Sequence, residues 1–142
     1  MDKKSGKGYI LIIDAEPTWR DFSEITLEDE GYFVETVSAL AEAITLLEQD
    51  GYDFVVVNSD LLEPKEKDIL NNLINYSRKT RLIVMSDPTL SRTHALAQSR
   101  AAFKMGAEDW VSKPMGRNPL IELFGRLFSR FENRGEKNAS PA

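Results

Sequence analysis

Cysteine is absent from the 142 residues, and histidine occurs once, as His94. No disulfide framework, thiolate zinc site or cysteine nucleophile can therefore be built, and a single histidine cannot make a multi-histidine metal site. No run of apolar residues approaches the roughly 20 needed to span a bilayer, and the polar start "MDKKSGKG" lacks the apolar stretch of a signal peptide. Basic residues are not clustered and the net charge is −5, which argues against the counterion-releasing contacts of non-specific nucleic-acid binding. A glycine-rich phosphate loop is missing after the first apolar run, where the chain reads "DAEPTW", which weighs against a small ligand binder. The expectation is a cytoplasmic chain; its composition is ordinary and its length suits one domain with a sizeable core. The sequon-like "NAS" at Asn138 is incidental in that setting.

The residues present alternate between apolar runs and amphipathic stretches. "YILIID" (Tyr9–Asp14), "YFVETVS", "DFVVVN", "RLIVMS" and "DWVSKP" read as five strands. Between and after them lie five helical patterns. The first, "PTWRDFSEITLEDEG", has Pro17 suited to its first turn, Gly31 suited to its stop, and Trp19, Phe22, Ile25 and Leu27 as the apolar stripe. The second, "ALAEAITLLEQDG", puts Ala41, Ile44 and Leu47 on one face and ends at Gly51. The third is "KEKDILNNLINYSRKT", and the fourth runs from Ser91 to Met105. The last, "NPLIELFGRLFSRFENR", turns Leu120, Leu123, Phe124, Leu127, Phe128 and Phe131 inward. Strands that are apolar throughout need helices on both faces, so the pattern predicts a doubly wound parallel α/β domain over residues 9–134. Residues 1–8 read as a flexible N-terminus and 135–142 as a disordered tail.

In such a fold the strand C-termini form the functional crevice. The residues predicted there are Asp14, Ala15 and Glu16 after the first strand and Asn58 after the third. Ser86 and Asp87 follow the fourth strand, and Lys113 and Pro114 the fifth. Acids, a hydroxyl and an ammonium at one crevice suit a hard cation and a phosphoryl group. "ILIIDAEP", "GYDFVVVNSDL", "RLIVMS" and above all "GAEDWVSKP" make the chain, from Tyr9 to about Arg134, resemble the receiver domain of two-component response regulators. The resemblance implies a flavodoxin-like sheet of strand order 2-1-3-4-5 and transfer of a phosphoryl group from a histidine kinase to an aspartate beside Mg²⁺. It also implies a hydroxyl–aromatic switch and a cis Lys-Pro bond. Lys113 matches the family lysine, Ser86 the switch hydroxyl, Trp110 the switch aromatic and Asp14 the first of the acidic pair.

The other positions depart from that pattern. Asn58 stands five residues after Asp53, where the phosphoacceptor aspartate belongs, and Ala15 replaces the main metal-ligating acid. Asp87 takes the place of a small residue, and the loop "SDLLEPKEKD" lacks the family's Pro and Gly positions. An amide is uncharged and no nucleophile towards phosphorus. One ligand acid fewer weakens a Mg²⁺ site, and Asp87 would repel an incoming phosphoryl oxygen. The expectation is a stand-alone pseudo-receiver, not an enzyme and without a required cofactor. It would act by protein–protein contact, with a partner or as a homodimer, through the fourth helix, fifth strand and fifth helix. Asp14, Glu16 and Asp60 remain as a residual, weak Mg²⁺ set. The alternative is a working receiver with an atypical acceptor or that residual metal. Other roles stay open: Lys113 can serve as a structural ion pair, Trp110 as fixed packing, and His94 as a solvated or capping residue. Ser59 and Ser86 carry no positive sign of modification. The stretch from Ser86 to Lys113 is longer than the family usually allows, which alters the presumed output face.

Overall fold

Five short strands lie side by side in the order β2-β1-β3-β4-β5, all parallel. They are β1 (Tyr9–Ile13), β2 (Phe33–Val37), β3 (Phe54–Asn58), β4 (Arg81–Ser86) and β5 (Asp109–Ser112). Each is followed by a helix: α1 (Pro17–Asp29), α2 (Leu40–Gln49), α3 (Pro64–Ser77), α4 (Arg92–Lys104) and α5 (Arg117–Ala139). A 3-10 turn, Ser59–Leu61, sits between β3 and α3. This computed structural model describes residues 7–62, 64–77, 79–86, 92–113 and 115–139. No described helix is long and apolar enough to cross a membrane.

The strands are apolar on both faces because both are covered. Leu11, Ile13, Val55, Val57, Leu82 and Val84 face one core with Leu40 and Ala43 of α2, Leu70 and Ile74 of α3 and Ala102 of α4. Ile10, Ile12, Val56, Ile83 and Met85 face the other, with Trp19 and Leu27 of α1 and Leu120, Leu123, Phe124 and Leu127 of α5. The period of two along each strand sorts its residues between the two layers. Phe54 anchors α5, its ring lying 5.9, 4.7 and 5.8 Å from those of Phe124, Phe128 and Phe131. Gly8 lets Phe128 approach the backbone, since a Cβ there would lie 2.2 Å from the ring.

Two helix ends are set by glycine. Gly31 after α1 and Gly106 after α4 have φ of 98° and 89°, a region that costs glycine little. Each is flanked by the paired backbone bonds of a Schellman end: Gly31 N–H to Glu28 O and Tyr32 N–H to Leu27 O, then Gly106 N–H to Phe103 O and Ala107 N–H to Ala102 O.

Several sequence expectations need correction. Ile25 does not join the buried stripe of α1, being 61% exposed, whereas Ser23 and Thr26 are buried. The Ser23 hydroxyl reaches the Trp19 carbonyl at 2.6 Å and so enters the core satisfied. On α2 the buried residues are Leu40 and Ala43, with Ala41 exposed. The helix begins a residue later than expected, at Leu40, with Ala39 as its N-cap. The long helix α5 runs from Arg117 to Ala139.

Candidate functional site

The order β2-β1-β3 makes the chain turn to opposite sides after β1 and β3, which opens a crevice at their C-terminal ends. An open cleft of about 350 Å³ lies there, lined by Asp14, Ala15, Glu16, Asn58, Asp60, Leu61 and Lys113. Leu61 was not legible as a lining residue, because only the 3-10 turn after β3 brings it round.

Asp14 is the centre of this site. It is 2% exposed, directly after β1, and its amide donates to Val37 O at 3.0 Å. Its Oδ1 accepts the Glu16 backbone N–H at 2.9 Å and the Lys113 ammonium at 3.0 Å. Its Oδ2 accepts the same ammonium at 2.9 Å and Asn58 Nδ2 at 3.2 Å. A carboxylate offers about four acceptor positions, and four contacts fill them. The Asp14 carbonyl is also held, by Arg20 Nη1 at 2.7 Å. No motif announced that role for Arg20; its place one helical turn into α1 is the only hint.

Asn58 ends β3 and is 7% exposed. Its two amide ends do different work: Nδ2 donates to Asp14, while Oδ1 accepts the backbone N–H of Asp60 at 2.9 Å and caps the 3-10 turn. A carboxylate could keep the cap but would oppose Asp14 with a second negative oxygen.

Lys113 follows β5 and is tied to β4 by its backbone N–H, which donates to Ser86 O at 3.0 Å. Its ammonium bonds Glu16 Oε1 at 3.0 Å as well as Asp14, and stands 5.8 Å from the Trp19 ring centroid. Burial alone would lower the pKa of this ammonium, but the hydrogen bonds to Asp14 and Glu16 and their charges outweigh it and hold the pKa above the ordinary lysine value.

The other predicted residues divide. Ser86 is buried at the end of β4. Trp110 is half-buried and packs on the core beneath α4, where its indole N–H has no acceptor among the described residues. Asp87 and Pro114 lie outside the described residues, as do the Lys-Pro bond and much of the lengthened segment after β4. His94 is exposed on α4. Ser59 sits beside Asn58 and donates from its hydroxyl to Gln98 Oε1 of α4 at 2.9 Å, a contact that sequence reading missed.

The residues do not fit the Mg²⁺ ion that this crevice architecture would suggest. Asp14, Glu16 and Asp60 line the same cleft, but the first two are engaged by Lys113 and Asp60 is exposed at the rim. Among the described residues no group of three or more Asp, Glu or His side chains is placed to hold a metal ion. The ammonium occupies the electrostatic role a cation would have, and Ala15 adds no oxygen ligand.

Comparison with known proteins bears on this geometry. The family model of the response regulator receiver domain matches residues 10–124. The alginate biosynthesis transcriptional regulatory protein AlgB of Pseudomonas putida is 27% identical over 117 residues, 82% of this chain and 25% of that protein. Response regulator SaeR of Staphylococcus aureus is 27% identical over 124 residues, 87% of this chain and 52% of SaeR. The chain thus spans about a quarter to a half of the length of these relatives. Among solved structures, the receiver domain of a LuxO repressor protein from Vibrio parahaemolyticus superposes with a TM-score of 0.75 at 16% identity, covering 94% of this chain and 98% of that one. A CheY-like receiver domain protein from Methanospirillum hungatei gives 0.76 at 21% identity, over 89% and 98%. At such identities the superpositions establish the shared fold.

Proposed function

The chain belongs to the response regulator receiver domain family, and within it we propose a member that signals without a phosphorylation cycle, by binding another protein. The observation that carries this reading is the closed network Asn58–Asp14–Lys113–Glu16. In it an amide stands at the acceptor position, and the remaining acid is already neutralised by the chain's own ammonium.

A phosphoryl transfer needs a nucleophilic oxygen and a counter-charge for the phosphoryl oxygens. Asn58 supplies no such nucleophile. Lys113, the group that would meet the phosphoryl oxygens, is engaged with two carboxylates within 3.0 Å. The crevice therefore acts as a structural clamp between β1, β3 and β5, and the fold presents its surfaces in one fixed state. On this reading the protein is cytoplasmic, is not an enzyme, binds neither nucleic acid nor membrane, and acts through the α4–β5–α5 side.

Incubation with acetyl phosphate and Mg²⁺, followed by intact-mass measurement, tests the proposal. The expected result is unchanged mass. A stoichiometric, hydroxylamine-labile phosphoryl adduct would overturn it, because that lability marks an acyl phosphate.

A further inference from the structure

Charge is segregated along this chain. Up to Ser91 there are 18 acidic residues against 9 lysines and arginines, whereas from Arg92 onward there are 9 basic residues against 5 acids. The segregation falls on surfaces that also expose large apolar side chains. On α1, Ile25 is 61% exposed, and its neighbours one helical turn away are Asp21, Glu28 and Asp29, with Glu24 adjacent; Asp29 is shared with Arg117 of α5 at 3.7 Å, so the net acidity there comes from the other three. On α4, Leu96 and Phe103 are 55% and 51% exposed. Arg100 lies between them in helical register and Lys104 beside them, and "RTHALAQSRAAFK" contains no acid.

These two patches cannot meet within one molecule. The α1 helix lies on one sheet face and contacts β2 at one edge, whereas α4 lies on the other face and contacts β5 at the opposite edge. Both have an apolar centre to bury, and their rims carry opposite charge. We propose that copies of this chain associate head to tail, with the acidic α1 patch around Ile25 of one copy seated on the basic α4 patch of Leu96, Arg100 and Phe103 of the next.

Burial of three exposed apolar side chains supplies the attraction, and the complementary charges set orientation and oppose α1–α1 and α4–α4 contacts. Such a contact is heterologous, so it leaves one free patch at each end and propagates into rings or chains instead of stopping at a symmetric dimer. The inference rests on the reading of the α4 side as an interaction surface, but not on the inertness of the crevice.

Sedimentation velocity over a concentration series, in low and high salt, provides the test. Wild-type protein is expected to associate beyond a dimer, with a dissociation constant that rises roughly tenfold between about 50 and 500 mM salt as the charges are screened. Ile25→Ser and Phe103→Ser should each be monomeric, with urea midpoints close to that of wild type when all are measured at concentrations dilute enough to be monomeric. Their mixture should give a 1:1 complex and nothing larger, since each brings one intact patch. Arg100→Glu should likewise be monomeric. If Phe103→Ser is monomeric while Ile25→Ser assembles like wild type, the head-to-tail pairing is wrong and the α4 side still stands as an interaction surface. Wild-type protein that stays monomeric throughout the series also overturns the pairing.

Discussion

Replacing Asn58 by Asp would put back the carboxylate typical of the fold and, by the geometry here, destabilise the protein. The substitution removes the Nδ2 donor that lies 3.2 Å from Asp14 Oδ2, a buried hydrogen bond worth about 1 kcal/mol. It also sets a second negative oxygen against Asp14. Two unit charges about 4 Å apart repel by roughly 4 kcal/mol at an effective dielectric constant near 20. Part of that is offset by attraction to the Lys113 ammonium, so a net penalty of about 2 kcal/mol is expected at pH 7.5. The new acid then has a folded-state pKa raised above its unfolded value near 3.9. The unfolded chain releases the proton first, so the penalty is full above the folded pKa and fades as pH falls towards the unfolded one. At 1.36 kcal/mol per pKa unit, less than about half should remain at pH 4.5. Urea unfolding of both forms at pH 7.5 and pH 4.5 measures this directly. Equal midpoints at both values would refute the reasoning and leave Asn58 without a structural role.

Other perturbations probe the same framework. Mg²⁺ should bind at about millimolar concentration or more weakly, and Ala15→Asp should tighten it, since carboxylate count governs hard-cation affinity; fluorescence of Trp19, whose ring lies 5.8 Å from Lys113 Nζ, reports both, and saturable quenching at micromolar Mg²⁺ would contradict the expectation. Lys113→Met should cost about 3 kcal/mol at neutral pH by leaving the Asp14 charge buried and unpaired, with Asp14→Asn in the same chain recovering part of it in urea melts. Because the Lys113 pKa is raised on folding, its contribution should be full below about pH 10.4, the unfolded lysine value, and be lost as pH rises through the folded value. Gly8→Ala drives a methyl into the Phe128 ring and should cost about 1–3 kcal/mol, an effect that Phe128→Ala in the same chain should partly relieve.

The sheet was readable because its signal is local. A run such as "FVVVN" is apolar on both faces only when helices cover both, and the period separating Val55 and Val57 from Val56 assigns them to different cores. Ile25 misled because helical spacing names a face without saying how far the core extends round it. Ser23 shows the converse, since a hydroxyl bonded to the carbonyl one turn back is satisfied and can enter the core. At the crevice, strand-end residues such as Asp14, Asn58 and Lys113 follow from topology alone. The Arg20 bond to the Asp14 carbonyl and the Ser59–Gln98 bond do not. Both depend on side-chain reach across loops, which spacing does not encode.

Lys113 and Asp14 are 99 positions apart in sequence, and that separation has a consequence for how the protein is made. Synthesis proceeds from the N-terminus, so β1 and its acid leave the ribosome long before the lysine that neutralises it. Burying Asp14 early would leave a charge without its partner, a costly arrangement. A chain that ends before β5 lacks the ammonium that meets this acid, so the finished crevice is expected to close only with the fifth strand in place. Hydrogen exchange of the β1 amides in a chain ending before Asp109 measures that dependence.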